Sequence, residues 1–173
     1  MRLKRLLPLL SLLLLPQIGF AQKKGSVNVI YDKSNDITCG IVDLGNVAAG
    51  IAADYAWLKA SYCSPGKTLQ PPTLITLQLL SKASVGARRG PQMIFLLDGT
   101  DRLLFDTQLN YSSSPFLAHV GQIIIVNLPT TQFEKICRAK LVEFQVFGRS
   151  YKLKQKDLAK LNGLARAGST ASP

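Results

Sequence analysis

PTTQFEKICRAKLVEFQVFGRSYKL, residues 129–153, is the stretch whose reading decides the fold. It divides into a short helix, a strand, a tight turn and a second strand. Thr131 followed three residues later by Glu134 has the spacing of a capping box, in which each side chain satisfies a free N–H of the first turn. Phe133, Ile136, Cys137 and Lys140 fall on one helical face, so the helix has an apolar side to bury. The period then changes from helical to two. Val142, Phe144 and Val146 alternate with Glu143 and Gln145, the pattern of a strand with one face covered. Gly148, Arg149 and Ser150 make the turn, and Tyr151 starts the return strand. Two strands are not stable alone, so this hairpin has to join a larger sheet.

The same strand-and-turn grammar runs upstream. Met93 to Leu97 and Arg102 to Phe105 flank Asp98-Gly99, a strong hairpin signal because glycine accepts positive φ. Residues 26–31, 37–44, 54–62 and 73–80 read as further strands, bounded by turn chemistry such as Asp32-Lys33-Ser34-Asn35-Asp36 and Ser64-Pro65-Gly66. QIIIVNL, residues 122–128, is a continuous apolar run of the kind expected of a fully buried strand. Leu158, Leu161 and Leu164 recur at helical spacing over residues 156–165, with Gly163 as a weak point. Eight or nine short strands at short intervals, with turn signals between them, favour an antiparallel arrangement over a parallel α/β sheet, which needs a helix between strands. The expected class is mainly β: an antiparallel β-sandwich or barrel with one short internal helix and a C-terminal helix.

The N-terminus has a different character. Arg2, Lys4 and Arg5 precede a run of about fifteen mostly apolar residues, with small Gly19 and Ala21 placed as a cleavage site before Gln22. The run is shorter than the ~20 residues of a membrane-spanning helix. Residues 1–21 are therefore expected to be a signal peptide, 22–167 one β-rich domain and 168–173 a disordered tail, with 22–26 a polar lead-in. Removing the three leader cations leaves 18 of 21 Lys+Arg against 10 Asp+Glu, a net charge of +8. The product would be exported, periplasmic or extracellular, with no transmembrane segment after cleavage.

Export implies an oxidising compartment, where cysteines pair. If residues 37–44 and 54–63 form a hairpin centred near residue 50, Cys39 and Cys63 stand opposite each other and become the disulfide candidate. Cys137, on the apolar helix face, reads as a buried thiol. His119 is the only histidine. No nucleophile elbow or metal-spaced histidine motif appears, and no cofactor is implied. Asp32, Ser34 and Asp36 have the 1, 3, 5 spacing of a calcium loop, but Ile37 stands where that loop needs glycine, so a solvated turn is the better reading. The basic residues fall in two groups: Lys82, Arg88 and Arg89 in one loop, and Arg149, Lys152, Lys154, Lys156 and Lys160 near the C-terminus. They are either a contact surface or a solubilising one. No aromatic residues interleave with them, so nucleic acid is not the expected partner.

FLLDGTDRLLF, TTQFEKICRAKLVEFQVFG and YKLKQKDLAKL together resemble a pattern in bacterial exported β-rich domains of unknown function. The resemblance covers about residues 93–164. It implies a β-rich exported domain and supplies no catalytic residues. Two functional classes stay open. One is a non-enzymatic binding or structural module at the cell envelope, meeting an envelope protein or an anionic surface or glycan. The other is a small hydrolase or thiol enzyme using Cys137 or His119. Oligomeric state is not legible.

Overall fold

The computed structural model describes residues 18–24, 27–48, 55–81, 92–112 and 121–168. Eleven strands and two helices occur among them. In chain order they are β1 (Ile18–Lys24), β2 (Val27–Asp32), β3 (Ile37–Ala48), β4 (Tyr55–Pro65), β5 (Leu74–Ser81), β6 (Gln92–Leu97), β7 (Asp101–Asp106), β8 (Gln108–Ser112), β9 (Gly121–Pro129), α1 (Thr130–Arg138), β10 (Val142–Val146), β11 (Arg149–Leu153) and α2 (Gln155–Ala167). A seven-stranded sheet runs β1-β2-β3-β4-β5-β9-β8, and a four-stranded sheet runs β11-β10-β6-β7. Every pairing is antiparallel. Both sheets are open, which selects the sandwich over the barrel.

Period-two burial builds the layers. β5 buries Ile75, Leu77, Leu79 and Ser81 on its inner face, and β6 buries Met93, Phe95 and Leu97. Phe95, Phe144 and Tyr151 sit side by side on the inner face of the small sheet, with ring centroids 5.6 Å and 4.9 Å apart. Such ring contacts add to the free energy of burying the apolar area itself. α1 and α2 complete the second layer, α2 crossing over β3. At Gly40 an added Cβ would lie 3.0 Å from Leu69 Cδ2 and 3.2 Å from Leu164 Cδ1, so the absent side chain is what lets the helix approach.

Both expected hairpins form, but the second turns one residue earlier than expected, so that Arg149 and Ser150 belong to β11 and not to the turn. β6 and β7 turn at Asp98 and Gly99, with φ of 51° and 78°, and β10 and β11 turn at Phe147 and Gly148, with φ of 52° and 73°. Positive φ at both positions matches the twist of the flanking strands.

Four local expectations need correction. α1 begins at Thr130, ahead of the expected cap, and the Thr131–Glu134 capping box does not form. Thr130 instead gives its N–H to the Thr73 carbonyl at 3.1 Å and its hydroxyl to the Pro72 carbonyl at 2.6 Å. Glu134 accepts from Arg138 at 2.8 Å. Tertiary partners thus replace the local cap. Lys140 lies beyond the helix, while Phe133, Ile136 and Cys137 are buried as expected. β9 is not buried on both faces: Gln122, Ile124, Val126 and Leu128 point inward, whereas Ile123 and Ile125 are half-exposed on the outer face beside Leu80 and the exposed Trp57. Among the described residues no second layer covers that side. Residues 108–112, where the sequence pattern predicts no strand, form β8. Finally, the lead-in at residues 22–26 is partly strand. β1 spans the Ala21–Gln22 bond, and its residues 22–24 pair with Val29, Asn28 and Val27.

Candidate functional site

β3 is twice as long as β2, and the difference creates an opening. β2 pairs with β3 from Ile37 to Ile41 only. From Asp43 to Ala48 the strand is held by β4 on one side, and among the described residues no strand pairs its other side. β11, the edge of the small sheet, lies against β3 there. Between them is a cleft of about 410 Å³. Leu44, Asn46 and Val47 form one wall. The other is Lys140 and Leu141, from the link after α1, and the run from Lys152 to Asp157 where β11 passes into α2.

Four lysines therefore converge from separate parts of the chain: Lys140, Lys152, Lys154 and Lys156, all exposed. The backbone beneath them is tied down. Asp98 Oδ1, at the β6–β7 turn, accepts the N–H groups of Lys140 and Leu141 at 2.9 and 2.8 Å. The Asp98 N–H donates back to the Leu141 carbonyl at 2.9 Å. Gln155 Nε2 donates to the Lys140 carbonyl, linking the start of α2 to the same segment. Asp157, buried in the first turn of α2, accepts the Lys154 N–H at 3.1 Å. This carboxylate also faces the positive end of the helix, so α2 satisfies its own start.

The balance of charge in the cleft is positive. Lys152 lies 3.9 Å from Glu143, a loose and exposed pair that contributes little. Asp157 is engaged by backbone. Lys140, Lys154 and Lys156 have no ion-pair partner among the described residues.

The residues singled out from sequence divide accordingly. Lys152, Lys154 and Lys156 come together here. Arg149 stands at the opposite end of β11, paired with Val146. Lys82, Arg88, Arg89 and His119 lie outside the described residues. Lys140 and the β3 edge were missed. Lys140 had been assigned to the helical face of α1, and an edge depends on strand lengths that local pattern does not carry.

Cys39 and Cys63 are register partners in β3 and β4 and form a disulfide, with Cα atoms 4.0 Å apart. It lies on the outer face of the large sheet, where Cys63 is exposed. Cys137 is free and buried. Burial, reinforced by the negative charge of Glu134, pushes its thiol up to about 12. The Asp32–Asp36 segment is a self-satisfied turn. Asp32 accepts from Asn35 and from the Ser34 N–H, which holds its carboxyl below the usual range, and Asp36 accepts from the Tyr31 hydroxyl at 2.8 Å.

A second, shallower groove of about 330 Å³ lies on the outer face of the small sheet, among Ile94, Leu96, Arg102, Glu143, Gln145 and Ser150. Its two charged side chains are of opposite sign, so it presents no net field. No family model matches the chain, and neither a curated protein nor a solved structure matches it.

Proposed function

We propose that this protein is an exported binding module, non-enzymatic, that meets an anionic partner at the cell envelope through the lysine-lined cleft. The observation that carries this reading is the convergence of Lys140, Lys152, Lys154 and Lys156 on one cleft whose lining carries a single carboxylate, Asp157, already engaged by backbone. Clefts lined by one sign of charge focus field and raise the local concentration of the opposite charge. Export is supported by the N-terminal basic and apolar pattern and by the Cys39–Cys63 disulfide, a bond that persists in oxidising compartments. The Cys137 thiol, with its pKa raised to about 12, is protonated at neutral pH. That argues against its service as a nucleophile, since the thiolate is the reactive form.

The test is retention of the processed chain on a sulfated-polymer resin. Reversing all four cleft lysines to Glu should move elution to much lower salt than reversing Lys33, Lys59, Lys67 and Lys160, which lie elsewhere. Equal shifts for the two sets would mean that retention reports total charge, and the cleft would lose its role.

A further inference from the structure

We propose that the cleft receives an extended acidic segment of a partner protein, added as a strand along the free edge of β3, with its carboxylates set against the four lysines. This rests on the reading that the cleft is the contact surface, and it names the occupant. Two independent observations meet here. One is the flank of β3 from Asp43 to Ala48, which no strand pairs among the described residues. A free strand edge offers backbone N–H and C=O groups that only another extended chain satisfies in series. The other is the charge of the facing wall.

The spacing of the lysines suits an extended ligand. Lys152 ends within β11, and Lys154 is also extended, with φ −83° and ψ 157°. Two residues apart on extended backbone, they present their side chains to the same side. Acidic residues at alternate positions of a bound strand repeat at about the same interval, ~6.6 Å. Lys140 and Lys156 flank them. A small anion has less to hold it, because the first turn of α2 is already answered by Asp157. A second copy of this chain is disfavoured, because the processed chain, with 18 Lys+Arg against 10 Asp+Glu and a net charge of +8, would meet the same sign.

A bulge makes the edge selective. The β3–β4 register shifts between Asp43 and Gly45, Gly45 has φ +70°, and its N–H goes to Asp43 Oδ1 at 2.8 Å. Bulges guard free edges against indiscriminate pairing. An incoming strand has to pair past the bulge, from Asn46 onward, where Asn46 and Val47 line the cleft.

The experiment uses the processed full chain and a pool of fluorescent octapeptides, with Glu or Asp at alternate positions and Val, Thr or Ser between them. Selected peptides should bind saturably, weaken as salt rises, and slow amide exchange at whichever of Asn46 and Val47 directs its N–H away from β4. N-methylation of alternate peptide amides, which removes strand pairing and keeps the charge, should weaken binding about tenfold or more. Binding unchanged by N-methylation, or no selected peptide, overturns the proposal. Lysine-dependent retention of the sulfated polymer in that event would leave the anionic-cleft reading standing. If reversal of the four lysines affects neither probe, both readings fall. The four side chains are exposed and the N-methyl control leaves the protein untouched, so folding does not confound the outcome.

Discussion

Cys137 and Tyr62 are both buried in their neutral forms, and this gives the molecule a defined response to alkali. Desolvation raises the Tyr62 phenol to about 12, slightly offset by the Gly168 backbone, and the Cys137 thiol rises to about 12 by burial and then by Glu134. Both folded-state values exceed the unfolded ones. Each group therefore contributes stability fully below its unfolded pKa and loses it as pH rises through the folded value. The affected window opens near pH ~9 for the thiol and ~10 for the phenol. The urea midpoint should be level from neutrality to the bottom of that window and then fall. Tyr62→Phe, which removes one of the two titrations, should show a shallower fall. A variant with the same slope as the parent would assign the alkaline loss to other groups. Cys137 should also resist a thiol reagent at neutral pH until urea unfolds the chain.

Among the elements, the β3–β4 hairpin is the one whose covalent link can be weighed. The Cys39–Cys63 bridge joins residues 24 apart in sequence, and constraining such a loop in the unfolded chain stabilises by about 3.5 kcal/mol on the entropy model. Because the bridge lies on the outer face, replacing both cysteines with serine opens no core cavity. The double variant should keep its circular dichroism and lose about that much in urea stability. A loss near zero would mean that the hairpin is already ordered in the unfolded ensemble. This bridge was legible from sequence because a hairpin centre fixes every opposite pair at once. The β6–β7 and β10–β11 hairpins were legible for the same reason: turn chemistry and period two are local signals. β8 was not, since it is short and its polar Gln108 and Asn110 face outward on either side of the half-buried Leu109, leaving too little pattern to read. The capping box at Thr131 failed because Pro72 and Thr73, far away in sequence, supply the partners for the start of α1. Half of the cleft was visible as a basic run. The rest depends on β3 outrunning β2 and on Asp98 holding the Lys140 segment, contacts that span about half of the chain or less but arise only on folding.

In the molecule as a whole, the second layer is assembled from distant pieces, and α2 closes it. The small sheet draws β6 and β7 from the middle of the chain and β10 and β11 from near its end. It covers only part of the inner face of the large sheet. The remainder, over β2, β3 and β4, is covered by α2, which also packs on α1. Leu158, Leu161 and Leu164 are each at most 2% exposed. Truncation of a buried leucine costs about 2–5 kcal/mol, while a whole domain is stable by only about 5–15 kcal/mol. Losing three such side chains together removes a comparable amount. It would also uncover Phe133, Ile136 and the inner side of β3 around Gly40, and it would take away Lys156 and Asp157 from the cleft. A chain ending at Lys154 should therefore show no cooperative urea transition and should bind an apolar dye in the absence of denaturant. Leu161→Ala in the full chain should fold with a stability reduced by about 3 kcal/mol, and its lysine-dependent retention should persist. A truncated chain that still unfolded cooperatively would place the core between the two sheets alone and reduce α2 to a carrier of the cleft lysines.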